Sequence, residues 1–546
     1  MQKIDLIKIY KRKTALVVDD YPDMRGSIRR MLVNFGVETV DMAANGEEAI
    51  QRCEEKHYDI ILCDYNLGES KNGQQILEEL RYRNLLRNTS LYMMITAETT
   101  RSMVFGALEY QPDEYLTKPF TQGVLQKRLD RLVLEKEALY EINQAMDQLD
   151  FERAIALCDQ HINASTRFEQ KCYRIKAKCL YEKQRYDQSR EIYQKMLHER
   201  SVDWAEIGLG RSLIALGELD QAEALFEKLV DDGCLSLEIY DHLADIRNRK
   251  GDVAGAQGLL EKAIEISPNA ILRQRHLAEI SEDNADWVRA EKAHRRVVKL
   301  GAHSCYEEPE NYFKLARCIS TQLRESDVKD SRRLRDAEDV LNRARRRYSN
   351  NEQVLLQSEI INATVYADAG QLDESARRIA ALEQRIERAA RPPAGLFLDV
   401  VKTYRALGQH DKATAILKDL AAKYEDDEAV CDAIDRLAEE PLSRRGKEQA
   451  IELNREGKVL FADQNYQQAI GLFDQALKHY PNNIAVNLNL LLALVKEMSS
   501  SGASRRHVER CDQLIKNIDH MDSGHTLYER FTVLRSHVDK LRAAAH

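Results

Sequence analysis

The sequence predicts an α/β doubly wound domain followed by an all-α helical solenoid. Three observations carry this expectation. Strand-like and helix-like patterns alternate from residue 14 to about 132. Strand signals then stop, and helical periodicity continues to the C-terminus. Within that second region three columns of residues repeat at a step of 34. At 546 residues the chain is also too long for a single core. The expected division is residues 10–132 and 133–546.

In the first region Ala15–Val18, Ile60–Cys63, Leu91–Ile95 and Glu114–Leu116 read as short apolar strands, with Val37–Met42 a weaker fifth. Helical stretches separate them, the signature of a parallel sheet covered on both faces. In the second region Leu209, Leu243 and Leu277 share one column, Gly210, Ala244 and Ala278 the next, and Ala222, Ala256 and Ala290 a third. Small residues at a fixed step allow two helices to cross closely, with larger apolar residues filling around them. This pattern resembles the tetratricopeptide repeat (TPR) family. It is strongest in 203–300, where Tyr240, Leu243, Ala244, Gly251, Asp252, Ala256, Ala263 and Pro268 match. It is strong again in 446–483, with Gly457, Asn465, Tyr466, Ala469, Phe473, Ala476 and Pro481. Weaker units centre on Ala154, Ser189, Ala337 and Ala413. One near Ala376 is degenerate, and the unit ending at Ala337 carries an insertion between its helices.

Between the regions, no Gly or Pro occurs after Gly123 until Gly208. Leu125, Leu129, Leu132, Leu139, Ile142, Met146 and Leu149 keep helical spacing across the join. A flexible linker would carry Gly, Ser or Pro. The last helix of the first domain is therefore expected to run directly, or with a tight break, into the first repeat. The leucine stripe is expected either to be buried within the chain or to seam a homodimer.

Acidic residues stand at the carboxyl ends of the expected strands. Asp19 and Asp20 follow Ala15–Val18, and Asp64 follows Ile60–Cys63. In a doubly wound sheet this edge is where ligands bind. Converging carboxylates repel unless a hard divalent cation sits among them, and oxygen ligands suit Mg²⁺. Thr96 and Lys118 bring a hydroxyl and an ammonium to the same edge. Together these residues form a kit for phosphoryl transfer to Asp64 as nucleophile, with Lys118 offsetting charge and Thr96 binding a phosphoryl oxygen.

The stretches VVDD (17–20), ILCDYNL (61–67), MITAE (94–98) and YLTKPF (115–120) resemble the receiver domain of bacterial two-component response regulators. The resemblance spans roughly 14–132 and implies a flavodoxin-like fold. It implies that Asp19, Asp20, Asp64 and the backbone carbonyl of Asn66 hold Mg²⁺. It also implies that Asp64 accepts phosphate from a sensor histidine kinase or phosphotransfer protein, that Lys118 contacts it, and that Thr96 and Tyr115 form a switch pair. The loop Gly68–Gly73 departs from the family in lacking a proline and being longer. Kinase recognition through that loop is therefore in doubt.

The remaining sequence narrows the output. Segment 133–546 has no phosphate-binding G-x-x-x-x-G-K-[ST], no H-E-x-x-H and no G-x-S-x-G, so no enzyme is expected there. A stacked helical array offers a concave surface for an unknown protein partner. Net charge is −9, which argues against nucleic acid or anionic membrane as the main partner. An RNA-binding alternative rests on the run Arg332, Arg333, Arg335, Arg343, Arg345, Arg346, Arg347 and Tyr348. Asp336, Glu338 and Asp339 interrupt that run, which suits a solvated helix face. A second alternative is a phosphate sink whose repeats act as a constitutive scaffold. Ten scattered cysteines without C-x-x-C pairs suggest reduced, buried thiols and a cytoplasmic protein. No apolar run is long enough for membrane insertion.

Overall fold

The computed structural model describes residues 6–68, 71–97, 111–200, 202–326, 330–388, 393–501, 505–521 and 523–544. Five strands form one parallel sheet: β1 Thr14–Val18, β2 Thr39–Ala43, β3 Ile60–Asp64, β4 Leu91–Thr96 and β5 Glu114–Thr117. Their order is β2-β1-β3-β4-β5, and every neighbouring pair is parallel. The three central strands are almost fully buried, which explains their unbroken apolar runs. The edge strands β2 and β5 are half-buried.

Alternating side chains serve the two faces of the sheet. Val17, Leu62, Met93 and Leu116 pack with Ile28, Leu32, Leu125 and Leu129, from the helices Pro22–Phe35 and Gln122–Ala138. Leu16, Ile61, Cys63 and Tyr92 pack with Ala49, Ile50, Ile76 and Leu77, from the helices Gly46–Glu55 and Gly73–Tyr82. Side-chain caps fix where these helices begin. Asn45 accepts from Glu48 N, Thr121 accepts from Val124 N, and Asn72 with Gln75 forms a capping box.

The helix Gln122–Ala138 continues past the expected boundary. A single non-helical residue, Leu139, separates it from the helix Tyr140–Asp147. The tight break expected from the missing Gly and Pro is thus present. The leucine stripe is consumed internally, because Leu125 through Met146 are buried among neighbouring helices. Leu149 is the exception at 73% exposed. The stripe therefore offers no continuous homodimer seam.

From residue 140 onward the described residues form helices only. Pairs such as Asp203–Ala215 with Leu219–Asp231, Glu238–Arg249 with Val253–Ile266, and Ile271–Asp283 with Trp287–Gly301 are the repeat hairpins. Each turn uses a left-handed residue: Gly217 (φ 80°), Gly251 (φ 86°) and Ala285 (φ 54°) keep the step of 34. Leu149 and Gln184 also take a left-handed turn in weaker units, and Gln464 does so in the strong unit 446–483. The buried small-residue column runs through Ala222, Ala256 and Ala290, all fully buried. In the degenerate unit the column residue is Ser375 rather than Ala376. Ser375 is fully buried and its hydroxyl donates to the Ala363 carbonyl, as Ser189 does to Ala177. The unit containing Ala337 has two helices of 17 residues, Pro309–Glu325 and Ser331–Arg347. Part of the insertion expected between them, 327–329, lies outside the described residues.

The chain divides into two compact units, 1–311 and 312–546, each described by itself. In the first unit the sheet domain is tied to its repeats at two places. Asp147 accepts hydrogen bonds from the Asn88 amide and from the Thr89 hydroxyl at 3.0 Å, while Lys136 Nζ donates to the Asn88 carbonyl at 2.9 Å. Farther along, Tyr82 meets Tyr306 edge-on, ring centroids 6.0 Å apart. Tyr65, Gln74 and Glu78 line a cleft with Ile271, Arg296 and Ser304. In the second unit the arginine run lies on the helix Ser331–Arg347. Arg332, Arg335, Arg343, Arg346 and Arg347 are exposed there together with Asp336 and Asp339, as on a solvated face of mixed charge.

Gly210 shows how tightly the hairpins close. An added Cβ would run into the Phe226 ring, whereas at Gly258 nothing lies within 4 Å. Gly210→Ala should therefore destabilise the fold by about 1–3 kcal/mol. Gly258→Ala, inside the helix Val253–Ile266, should stabilise it by roughly 0.5–1 kcal/mol. Urea unfolding followed by helical circular dichroism checks both, and shifts of the same sign would contradict this packing.

Candidate functional site

The strand order reverses between β1 and β3, and both strands end in carboxylates. Asp19 directly follows Val18, and Asp64 is the last residue of β3. Because Val18 pairs with Cys63, the two strands deliver these side chains side by side. Asp19, Asp20 and Asp64 each place a carboxylate oxygen within 4.8 Å of the others. Asp19 is fully buried, and Asp64 is 6% exposed.

Lys118 reaches the group from the loop after β5. Its Nζ donates to Asp19 Oδ2 at 2.9 Å and stands 3.0 Å from Asp64 Oδ2. Its backbone amide donates to the Thr96 carbonyl at 2.8 Å, and the following peptide to Pro119 is cis. One ammonium thus pairs with two of the three carboxylates. Burial raises the Asp64 pKa, and the neighbouring Asp19 charge adds to the rise, while Lys118 opposes it. Burial works against the Lys118 charge, but hydrogen bonds to Asp19 and Asp64 outweigh it and hold the ammonium protonated.

The oxygen-only donor set fits a hard divalent cation. A specific observation supports the fit: Asp20 Oδ1 is buried with no hydrogen-bond partner. A buried, unsatisfied carboxylate oxygen is costly unless a cation or water completes it.

The other expected residues sit farther out. Thr96 ends β4, one residue beyond the Asp64–Ile95 pair. Tyr115 lies on β5 opposite Met94, half-buried against the face that carries Tyr92, and burial raises its phenol pKa. Asn66 is exposed in the loop that follows Asp64. Glu98 of the matched stretch and Glu69 and Ser70 of the divergent loop lie outside the described residues.

Three supporting residues were missed from the sequence. Arg25 donates to the Asp19 carbonyl at 2.5 Å. Tyr92, fully buried, donates its hydroxyl to the Gly73 carbonyl at 2.8 Å, and the Gly73 amide donates to the Tyr65 carbonyl at 2.8 Å. A Cβ at Gly73 would collide with the Asp64 backbone carbonyl, so the chain closes back on the Asp64 backbone only with glycine there. The Asn72-x-x-Gln75 capping box was a readable signal for this closure.

Because the folded state raises the Asp64 pKa, ionising Asp64 works against folding at neutral pH, and that penalty is absent at pH below its ordinary range. With divalent cations chelated, Asp64→Asn should melt at a higher temperature than wild type at pH 7. The difference should shrink as the pH falls through the carboxylate range. A lower melting temperature for Asp64→Asn at pH 7 would contradict the charge balance described.

Comparisons with known proteins agree with this geometry. The response regulator receiver domain family matches residues 15–130, and tetratricopeptide repeat families match 207–271 and 450–483. Chemotaxis protein CheY-3 of Vibrio cholerae is 28% identical over 122 residues, covering 22% of this chain and 92% of that protein. Chemotaxis protein CheY of Pseudomonas aeruginosa is 27% identical over 117 residues, covering 21% and 93%. Among solved structures, CheY4 of Vibrio cholerae is 26% identical and covers 22% of this chain and 97% of that one, with a TM-score of 0.21. Strand order and site geometry, not that superposition, carry the fold assignment. The chain has an N-terminal response regulator receiver domain followed by tetratricopeptide repeats.

Proposed function

We propose that the protein is a phosphorylation-dependent response regulator in which Asp64 accepts a phosphoryl group and its state modulates protein binding by the repeats. The observation that carries this reading is the cluster of Asp19, Asp20 and Asp64 at the switch point of the sheet, with the Lys118 ammonium paired to Asp19 and Asp64. The donor is a sensor histidine kinase or phosphotransfer protein. An Asp64 oxygen attacks phosphorus, the phosphorus–nitrogen bond breaks, and the imidazole leaves with the bond's electron pair. Asp19, Asp20 and Asp64, with the Asn66 carbonyl, would hold Mg²⁺, which supplies positive charge beside the phosphoryl oxygens. Lys118 supplies the remaining positive charge, and the Thr96 hydroxyl binds a phosphoryl oxygen while Tyr115 follows it inward.

We take residues 10–132 as the receiver and 133–546 as the repeat region, the boundary falling inside the continuous helix Gln122–Ala138. A cytoplasmic site of action accords with ten free cysteines. It also accords with the lack, among the described residues, of any helix long and apolar enough to cross a membrane. Two features support transmission to the repeats. The join at Leu139 has no flexible linker. The residue after Asp64, Tyr65, lines the cleft against Ile271 and Arg296. A change of charge at Asp64 therefore acts one residue from a surface shared with the repeats.

Incubating the full chain with Mg²⁺ and a radiolabelled small acyl phosphate tests the reading. Wild type should take up one label per chain, Asp64→Asn none, and Lys118→Ala should react about 10²-fold more slowly. Undiminished labelling of Asp64→Asn would overturn it.

A further inference from the structure

The second unit holds a cluster of side chains that the receiver chemistry does not use. His410 is the first residue of the helix His410–Lys423. Glu439 lies just beyond the helix Glu428–Leu437, and His520 just beyond the helix Arg505–Ile518. Three segments far apart in sequence thus bring two imidazoles and one carboxylate together, with one donor atom from each within 4.8 Å of the others. Both rings address the same oxygen. His520 Nε2 is 3.1 Å and His410 Nδ1 is 3.8 Å from Glu439 Oε1. The rings stack with centroids 4.4 Å apart and planes 13° from parallel.

This arrangement favours a neutral His410 imidazole beside an anionic carboxylate. Burial, His520 and Arg405 all depress the His410 pKa, and the bond from His520 holds the Glu439 carboxyl below its usual range. Neutral imidazole nitrogens and a carboxylate are the protonation states that metal coordination requires. The side chains are 22–30% exposed, sheltered yet reachable by an ion from solvent.

We propose that His410, Glu439 and His520 form a binding site for a borderline divalent transition ion of the Zn²⁺ class. Two nitrogens and one oxygen suit such an ion and not Mg²⁺, so the site differs in kind from the oxygen cluster of the receiver. In a tetrahedral Zn²⁺ site, bonds of about 2.0–2.1 Å place neighbouring donor atoms roughly 3.4 Å apart. The observed 3.1 and 3.8 Å separations to Glu439 bracket that value, and the two stacked rings must turn out of parallel for both in-plane nitrogens to meet one ion. Binding would replace the present His520–Glu439 hydrogen bond with bonds to the ion. Glu439 offsets the positive charge of the helix start at His410 and of nearby Arg405, whose guanidinium is engaged by the Leu437 carbonyl and Asn482. Three protein donors leave a fourth position for water or for a side chain of a bound protein. The ion would staple the start of one repeat helix to the segments following two others.

The test uses the full chain, stripped of metal, under reducing conditions and in excess Mg²⁺ so that the receiver carboxylates are occupied. Zn²⁺ is titrated against a chromophoric chelator. Wild type should bind one ion that His410→Ala, His520→Ala and the isosteric Glu439→Gln each weaken by about tenfold or more. X-ray absorption of the Zn²⁺-loaded wild type should show nitrogen and oxygen neighbours with imidazole scattering. Unchanged affinity in the three variants, with helical circular dichroism retained, would overturn the proposal. So would a shell dominated by sulfur at about 2.3 Å, which would assign the ion to cysteines instead. The absorption measurement needs no variant, so misfolding of one would leave the test intact.

Discussion

Three carboxylates gather at the carboxyl edge of the receiver sheet, two of them paired with one ammonium, and much of the surrounding structure follows from holding them there. Asp19 follows and Asp64 ends a strand whose apolar body is buried, so the sheet holds both carboxylates out of bulk water. Their repulsion is offset from one side by Lys118, whose backbone is pinned to β4 through the Thr96 carbonyl. On the other side the Asp20 oxygen stays buried and unpaired. The site is therefore short of positive charge by construction, and the backbone of Asp64 is approached so closely at position 73 that only glycine fits there. Such a centre responds to any ligand that changes its charge, which makes it suited to switching.

The repeats rest on a simpler constraint: two helices crossing closely enough to need a small residue, joined by a turn that needs a left-handed residue. Where both requirements are met by alanine and glycine, as at Ala222 and Gly217, the repeat is readable in the sequence. Elsewhere the same geometry uses residues that carry no such signal. Gln184, Ala285 and Gln464 take the left-handed turn despite their side chains, because the packed hairpin over-determines it. Ser375 replaces alanine in the close-packed column and satisfies its hydroxyl against the facing backbone, so its unit reads as degenerate although the packing is preserved. The central strands were legible to within a residue because burial on both faces leaves only apolar positions. The edge strand Thr39–Ala43 was blurred because it is half-exposed and carries polar residues.

What the sequence did not reveal is long-range placement. The four groups Asp19, Asp20, Asp64 and Lys118 were found because strand ends converge by rule in a doubly wound sheet. No comparable rule brings Tyr82 to Tyr306, or His410 to Glu439 and His520. Those meetings depend on how successive hairpins stack, a sum of small rotations that single-residue patterns do not encode. The break at Leu139 was likewise anticipated from missing Gly and Pro, but its position was not, because it falls at a leucine that is itself buried. A rigid join together with a second contact farther along the repeats gives the receiver two attachments to its first repeats. Motion at one can then be opposed or transmitted at the other.

The proposed switch requires that a change at Asp64 reach the repeat segment around 269–306 through the helix Gly73–Tyr82. Hydrogen–deuterium exchange on the full chain, with and without beryllofluoride and Mg²⁺ as a mimic of the phosphoryl group, tests it most directly. Exchange in 73–82 and in 269–306 should change together in wild type and in neither segment of Asp64→Asn. A change confined to the receiver, with 269–306 unaltered, would contradict it.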